Sequence, residues 1–285
     1  MKSYLSLIKF SHTIFALPFA LLGFTLATLK YGFSYEKLTF VLVCMVSARS
    51  AAMAFNRFLD RDIDSKNPRT LIREIPAGII SPRNALIFTL ISAMIFVLSS
   101  YMLNSLCFIL SPLALVVILG YSFTKRFTSW CHLVLGLGLG LAPVGAYIAV
   151  SGKFHMIPIL LGVAVLCWVA GFDIIYALQD EEFDKENGLN SIPVRLGKKN
   201  ALVVSNFLHL ICMLALFTAL YLISQVYASS GIVLWISYAV FVFLLWYQHT
   251  LVKPNNLSKV NMAFFTTNGI ASVVFGCLAI IDLIF

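Results

Sequence analysis

Long apolar stretches separated by short polar breaks constrain this chain more than any other feature. A helix that crosses the hydrocarbon core of a membrane needs about 20 mainly apolar residues. The chain is 60% hydrophobic and only 11% charged, which is too little charge to cover the surface of a water-soluble globule. We therefore predict an all-α, polytopic membrane protein that forms a single domain over residues 1–285. The predicted spans are 14–29, 38–55, 86–103, 106–123, 133–150, 157–178, 202–223, 232–249 and 262–285.

The count of nine spans has one alternative. Only Asn104 and Ser105 separate the third and fourth stretches, so a merged helix would leave eight spans. The basic residues favour nine, because Lys and Arg in short loops are retained on the cytoplasmic side. With nine spans, the N-terminus and alternate loops hold sixteen of the twenty, and the opposite side holds only Lys30, Lys37 and Lys153.

This charge bias predicts a location in a bacterial cytoplasmic membrane, with the N-terminus and the long loops in the cytoplasm. No cleavable leader is expected, because the first apolar stretch follows the polar segment from Lys9 to His12 and no convincing cleavage site comes after it. The net charge of +8 is then a consequence of topology, and we expect no nucleic-acid partner. The cysteines and histidines form no C-x-x-C or i, i+4 His pair, so we expect no zinc or haem site.

Two long polar loops, residues 57–84 and 179–200, interrupt the apolar pattern. All the acidic residues except Glu36 and Asp282 lie in or directly before them, between residues 60 and 74 or between 173 and 186. Each loop follows a span that ends in carboxylates, which indicates a weak internal repeat of about 120 residues. Charge beside lipid is costly and is normally kept for a function. We predict two cytoplasmic caps over one central cavity.

Both acidic segments have helical spacing, because residues four apart share one face of an α-helix. Asn56, Asp60 and Asp64 form one polar stripe, and Arg49, seven residues before Asn56, extends it into the membrane. A second stripe repeats the spacing with Asp173, Asp180 and Asp184.

Paired carboxylates without a neighbouring histidine or thiolate are typical ligands of a hard divalent ion, most often Mg²⁺. Four carboxylates around one cavity would repel each other unless cations lay between them. A diphosphate bridged by Mg²⁺ removes this conflict. The predicted carboxylate ligands are Asp60, Asp64, Asp180 and Asp184.

Basic residues near the two stripes are candidates for binding the remaining phosphate charge. Arg69 and Arg73 lie in the segment NPRTLIRE, and the arginine fork suits phosphate oxygens. Lys125 and Arg126 lie in YSFTKRF, where anchoring on the cytoplasmic side explains them equally well.

Arg49 falls inside the second span and needs a partner there, since an unpaired guanidinium in a membrane is costly. It either pairs with Asp60 or another facing carboxylate, or it holds the carboxylate of a substrate. Spacing alone leaves both alternatives open.

Together these segments resemble the UbiA superfamily of intramembrane prenyltransferases. NRFLDRDIDSKNPRT matches its N-D-x-x-D-x-x-x-D pattern, and YALQDEEFD matches its D-x-x-x-D pattern. Residues 69–73 match its RT-x-x-R loop, and residues 121–126 match its Y-x-x-x-K-R stretch. Arg49 also matches a family arginine seven positions before the motif asparagine. The resemblance implies nine helices around a cavity, with Mg²⁺-bound diphosphate at the cytoplasmic caps and with Tyr121 and Tyr176 among the substrate-contacting residues.

The chain departs from the family pattern at two positions. Arg57 replaces the first Asp of the motif, so metal binding there should depend on Asn56, Asp60 and Asp64. Glu74 follows Arg73, where proline is common. These departures resemble a branch that prenylates an aromatic acid in the futalosine route to menaquinone.

The resemblance implies ionisation of an allylic polyprenyl diphosphate, followed by attack of an electron-rich phenol through a ring carbon. Arg49 would hold the acceptor's carboxylate, and Asp173 is our candidate for polarising the phenol or accepting its proton. We expect 4-hydroxybenzoate as the acceptor, in respiratory quinone biosynthesis, with 1,4-dihydroxy-6-naphthoate as the alternative.

A hypothesis of another class is an ion-coupled transporter, in which the same carboxylates would bind the coupling ion. That function predicts carboxylates near the bilayer midplane and broken helices. Their place at helix ends, beside Arg and Lys, favours the enzyme.

Overall fold

The computed structural model describes residues 2–7 and 15–285, and the regular structure within these ranges is helical. A lone bridge between Lys253 and Asn256 is the only strand-like pairing in the described part. The α-helices in chain order are α1 Lys2–Leu7, α2 Leu17–Tyr31, α3 Tyr35–Leu59, α4 Arg61–Asp64, α5 Pro82–Leu103, α6 Ser105–Thr124, α7 Cys131–Ser151, α8 Met156–Ala177, α9 Glu181–Glu186, α10 Ile192–Val226, α11 Ile232–Leu251 and α12 Asn268–Ile284.

The all-α membrane class is confirmed. Among the described residues, eight helical segments are long and apolar enough to cross a membrane, and α2 is a shorter apolar helix of 15 residues. The predicted first span begins at Ile14, which lies outside the described residues together with the segment from Lys9 to His12. The count of nine spans stays a prediction.

The third and fourth predicted spans are separate helices in the structure. Helix α5 ends at Leu103, and Asn104 is extended, with φ −173° and ψ 169°. The Asn104 side chain then accepts a hydrogen bond from the Cys107 N–H at 2.9 Å, which satisfies one free donor in the first turn of α6. A single polar residue therefore ends one helix and caps the next.

The chain divides into two compact units. One comprises Met1–Thr13 and Tyr35–Phe123, and the other Ile14–Ser34 and Thr124–Phe285. In the first unit, α3 packs along α5. A small buried cluster joins α1, α3, the polar loop and the start of α5, and consists of Leu7, Ala54, Ile75, Ile80 and Ala85.

In the second unit, α7 and α8 form a hairpin whose backbones come unusually close. Gly140 on α7 and Gly162 on α8 face each other. A Cβ added at Gly140 would lie 2.6 Å from the Gly162 carbonyl oxygen, closer than a Cβ atom normally comes to any other atom. Small residues permit this approach between membrane helices, which associate through van der Waals packing because lipid supplies no hydrophobic drive.

The core of the second unit is aromatic. Phe19 packs against Trp168, Phe241 and Phe275, with ring centroids 5.2 to 6.1 Å apart. The Trp168 indole N–H donates to Asn268 Oδ1 at 2.9 Å, which satisfies its one polar atom inside the core.

A π-helix, Met262–Thr267, precedes α12. The Asn268 amide donates to the carbonyl oxygens of two residues in this turn, Ala263 and Phe264, at 3.0 and 2.9 Å. Asn268 thus links the π turn to Trp168. Single π turns of this kind are frequent at functional sites.

Replacing Gly140 by Ala should lower the free energy of unfolding by about 1–3 kcal/mol, because α7 and α8 must separate to admit the methyl group. Gly145→Ala on the same helix is the matched control, since a Cβ there meets nothing within 4 Å. Thermal unfolding in detergent measures both. Equal transition temperatures for the two variants would show that the contact does not hold the hairpin.

Candidate functional site

The first acidic motif lies where α3 ends. Asp60 leaves the helical backbone, with φ −90° and ψ 5°, and α4 begins at the next residue. The i to i−4 pattern nevertheless continues, because Asp60 N–H donates to Asn56 O and Asp64 N–H donates to Asp60 O. The Asn56 amide also donates to Asp60 Oδ2 at 2.9 Å. The structure therefore brings the three residues of the predicted stripe together, on a kinked rather than a continuous helix.

Asp64 is the buried member of this motif. Its side chain is 6% exposed, and Arg73 Nη1 donates to both carboxylate oxygens at 2.7 and 2.8 Å. Thr70 Oγ1 donates to the Asp64 carbonyl oxygen at 3.0 Å, so the RT-x-x-R loop folds back over α4. Arg69, in the same loop, is exposed. Arg73, which is predicted to bind phosphate, is thus hydrogen-bonded to Asp64, which is predicted to bind the metal.

Arg49 lies deeper in α3, and its Nε atom is buried without a hydrogen-bond partner among the described residues. Tyr121 on α6 is within electrostatic range of Arg49, Asp60 and Arg57. The guanidinium therefore keeps at least one donor available inside the membrane, where an orphaned donor is costly.

The two departures from the family pattern lie in the same region of the first unit. Arg57 is buried, at 4% exposure, and interacts electrostatically with Glu74 and Asp64. Glu74 is also buried and accepts a hydrogen bond from Ser6. The cation gained at one position is thus accompanied by an anion gained at the other, which limits the cost of burying either charge.

The second acidic motif repeats the backbone of the first. Asp180 closes a 3₁₀ turn, Leu178–Asp180, with φ −101° and ψ 5°, and α9 begins at the next residue. Asp184, four residues on, is 1% exposed. The weak internal repeat predicted from the sequence therefore has a local counterpart: a kink at the first Asp and a buried second Asp in a short helix.

Lys125 holds the second buried carboxylate. Its Nζ lies 2.7 Å from Asp184 Oδ1, while Asp184 Oδ2 is buried without a hydrogen-bond partner among the described residues. The Lys125 carbonyl oxygen accepts the Asn190 N–H at 2.7 Å, and Leu189 N–H donates to Asp184 O at 2.8 Å. These backbone bonds fix the segment after α6 against the turn after α9. Arg126, the neighbouring predicted cation, is half-buried.

Asp173 has a partner that the sequence did not suggest. His132, at the start of α7, lies with Nδ1 2.7 Å from Asp173 Oδ2, near the end of α8. Because α7 and α8 are consecutive antiparallel helices, the first turn of one meets the last turns of the other. The residues are 41 positions apart, so no periodic signal in the sequence connects them.

Tyr176 is enclosed by aromatic rings of the π-helix. Its ring centroid lies 4.2 Å from that of Phe264 and 5.8 Å from that of Phe265. Tyr176 also lies three residues after Asp173 and four before Asp180, on the face that carries both carboxylates. A phenol and two phenyl rings thus flank the second acidic motif within its own unit.

The acidic motif of each unit, taken by itself, fits a divalent cation that takes only part of its coordination shell from the protein. In the described parts of the chain, no three Asp, Glu, His or Cys side chains converge into a complete metal cage. Mg²⁺ is usually bound through one or two carboxylates together with waters and substrate phosphates. In the first unit the Asn56–Asp60 pair would supply oxygen ligands of that kind. In the second unit Asp184 Oδ2, which has no hydrogen-bond partner among the described residues, would supply another.

Comparison with known proteins identifies the family. A family model described as the UbiA prenyltransferase family matches residues 16–270. The chain belongs to the UbiA prenyltransferase family. A 4-hydroxybenzoate octaprenyltransferase of Aliivibrio fischeri (strain MJ11) is 30% identical to this member over 231 residues, which cover 81% of this chain and 78% of that protein.

Solved structures of the family share the fold. The apo structure of a UbiA homolog from Aeropyrum pernix K1 superimposes with a TM-score of 0.85 at 31% identity, and covers 96% of this chain and 98% of its own. A homolog from Archaeoglobus fulgidus, bound to DMAPP and Mg²⁺, has a TM-score of 0.77 at 19% identity, with 99% of each chain covered. The second likeness shows the shared fold. The predictions of family, fold class and prenyltransferase enzyme are confirmed, and the transporter alternative is set aside.

Replacing Lys125 by Met should lower the free energy of unfolding by about 2 kcal/mol in metal-free buffer, because Asp184 would keep a buried, uncompensated charge. The loss is smaller than for a fully buried pair, since the Lys125 side chain is 37% exposed. Chemical denaturation in the presence of a chelator measures the change.

The control is Lys198→Met, which removes a cation 3.7 Å from Glu181 and 3.9 Å from the exposed Glu182. It should change stability by less than about 1 kcal/mol. If the two variants lose the same stability, Asp184 does not depend on Lys125.

Proposed function

We propose that this protein transfers a polyprenyl group from an allylic polyprenyl diphosphate to a ring carbon of 4-hydroxybenzoate, in respiratory quinone biosynthesis. The observation that carries the choice of acceptor is Arg49, a guanidinium in a membrane-spanning helix whose buried Nε has no hydrogen-bond partner among the described residues. A substrate carboxylate would supply the missing acceptor and neutralise the charge. The name of the Aliivibrio fischeri relative supports the same acceptor.

We further propose that the cofactor is Mg²⁺, with Asn56, Asp60 and Asp64 in one motif and Asp180 and Asp184 in the other as its ligands. The homolog from Archaeoglobus fulgidus was solved with GPP and Mg²⁺ and also with Cd²⁺, which supports a divalent metal. When bound, such a metal neutralises the charge of the departing diphosphate.

Basic residues bind the diphosphate in this proposal, namely Arg69, Arg73, Lys125 and Arg126. Arg73 and Lys125 already neutralise Asp64 and Asp184, so both carboxylates can be buried before any ligand arrives. When the diphosphate is bound, Arg73 and Lys125 would contact its oxygens, and Asp64 and Asp184 would hold the metal. Each carboxylate would then still have a cationic partner, which keeps the cost of desolvation low.

The chemical step breaks the bond between the allylic carbon and the diphosphate oxygen, and the diphosphate leaves with the electron pair. The resulting allylic cation must be captured by the phenol ring before water reaches it. Asp173 accepts the phenolic proton and returns it once the ring carbon has bonded to the prenyl carbon and lost its own proton to the diphosphate. Tyr121 and Tyr176 contact the substrates in this proposal. The aromatic rings around Tyr176 exclude water from the reacting atoms.

A second candidate acceptor is 1,4-dihydroxy-6-naphthoate, in menaquinone biosynthesis. It also presents a carboxylate on an electron-rich ring, so Arg49 serves it equally well. The observation that favours it is the buried Arg57, with Glu74 in electrostatic range, at the two positions where the chain departs from the family pattern.

We also propose that residues 1–285 act as one domain, and that the N-terminus and both acidic motifs face the cytoplasm of a bacterial inner membrane. The family match across residues 16–270 spans both compact units, which supports a single functional domain. The bias of Lys and Arg towards one set of loops supports the orientation.

Membranes that contain this protein should form prenylated 4-hydroxybenzoate when given Mg²⁺ and a polyprenyl diphosphate. 1,4-Dihydroxy-6-naphthoate is offered in parallel, and products are identified by mass. Chelation of the metal should abolish product formation. Product from the naphthoate alone would replace the first acceptor by the second, and no product from either with folded protein would overturn the proposed function.

Arg49→Ala should raise the KM of the carboxylate acceptor by about 10- to 100-fold, since hydrogen bonds to a charged group contribute about 1.5–3 kcal/mol. The KM of the prenyl diphosphate should change little. Arg83→Ala, at an exposed position in the first turn of α5, is the control for loss of a basic residue in the same unit. Equal increases in both KM values would show that Arg49 does not bind the acceptor's carboxylate.

A further inference from the structure

We infer that His132 is a positioning residue for Asp173, and that it receives its own orientation from the N-terminus of α10. Three elements of the second unit meet here. The Ile192 N–H of α10 points to His132 Nε2 at 3.4 Å, and His132 Nδ1 lies 2.7 Å from Asp173 Oδ2. The inference rests on the proposed function, because it gives Asp173 the proton transfer.

The hydrogen bonds determine the tautomer of His132. A backbone N–H can only donate, so Nε2 must carry its lone pair. Nδ1 then carries the proton and donates it to the carboxylate of Asp173. Both ring nitrogens are occupied in a neutral imidazole, so His132 is neither a metal ligand nor the base itself.

The hydrogen bond from α10 to His132 uses a backbone N–H group that has no partner within the helix. Ile192 is the first residue of α10, where N–H groups have no partner within the helix. Ser191 caps the same end by accepting the Val194 N–H at 3.3 Å, so the Ile192 N–H remains for His132. The positive end of the α10 dipole is thereby directed through the imidazole towards the carboxylate.

The two side chains of this pair differ in burial, and the difference fixes which of them can meet a substrate. The His132 side chain is 3% exposed, whereas Asp173 keeps 23% of its surface accessible. The imidazole is thus held on the protein side, and one face of the carboxylate stays open. A hydrogen-bonded histidine restricts the rotamer of Asp173 and directs an oxygen to one place, as an orienting group does in other proton-transfer sites.

Two substitutions separate orientation from packing. In His132→Asn, the amide Nδ2 takes the place of Nδ1 and still donates to Asp173, but the bond to Ile192 is lost. In His132→Gln, the longer side chain reaches towards Ile192, and its carbonyl oxygen can accept that N–H, but it offers no donor at the former Nδ1 position. Both replacements are neutral, polar amides.

We expect His132→Asn to keep kcat within about threefold of the wild type and His132→Gln to lose about 10- to 100-fold, with the KM of the prenyl diphosphate unchanged in both. In an Asp173→Asn background, His132→Gln should cause no further loss, because the histidine acts only through the carboxylate. ¹⁵N NMR of labelled histidine in the wild-type protein should show the neutral tautomer protonated at Nδ1.

Equal losses in the two amide variants, or additive losses in the Asp173→Asn background, would show that His132 acts through packing and would overturn the inference. A histidine protonated at Nε2 would also overturn it. Failure of the proposed function looks different: wild-type protein would form no prenylated product from either acceptor, while the NMR signature of His132 would remain as expected.

Discussion

The structure depends on the burial of one carboxylate in each acidic motif against one resident cation. Asp64 with Arg73 and Asp184 with Lys125 each combine a nearly inaccessible acid with a partly exposed base. Without the base, an acid at the end of an apolar helix would be protonated or turned out to water. With it, a strongly acidic site can be built before a ligand is present. The loops that supply the bases are therefore as much part of the site as the acids.

The two motifs also share their local backbone. Asp60 and Asp180 leave helical geometry at equivalent points, and in each case a short helix carries the second, buried acid. The carbonyl oxygen of that second acid accepts a hydrogen bond from a later residue, Thr70 for Asp64 and Leu189 for Asp184.

Much of the fold was predictable, because the bilayer requires apolar helices of fixed length and the apolar runs report them directly. The stripes of Asn56 to Asp64 and Asp173 to Asp184 were predictable for a similar reason, since spacing of four residues survives a modest kink. The internal turns were harder. The sequence predicted a polar loop over residues 179–200, whereas α10 already begins at Ile192, with Pro193 in its first turn, and the chain bends at Gly197, with φ 74°.

Contacts between distant residues were out of reach of the sequence. In the sequence, His132 is one of five histidines and has apolar neighbours. Only the antiparallel pairing of α7 and α8 brings its side chain within hydrogen-bond distance of Asp173. The pairing of Lys125 with Asp184 could not be predicted either, because membrane topology alone already explains a basic residue after a span. Sequence periodicity reports which residues share a helix face, but it does not report which faces meet.

The π-helix at Met262–Thr267 has a consequence for how this segment can change over evolutionary time. A π turn is equivalent to one residue inserted into an α-helix, so loss of one residue there would restore a regular helix and leave the helical segments on either side in register. The contacts that depend on the wide turn would change instead, namely the hydrogen bonds from the Asn268 amide to the Ala263 and Phe264 carbonyl groups. A one-residue change of chain length at this point therefore alters the local hydrogen bonds more than the path of the helix.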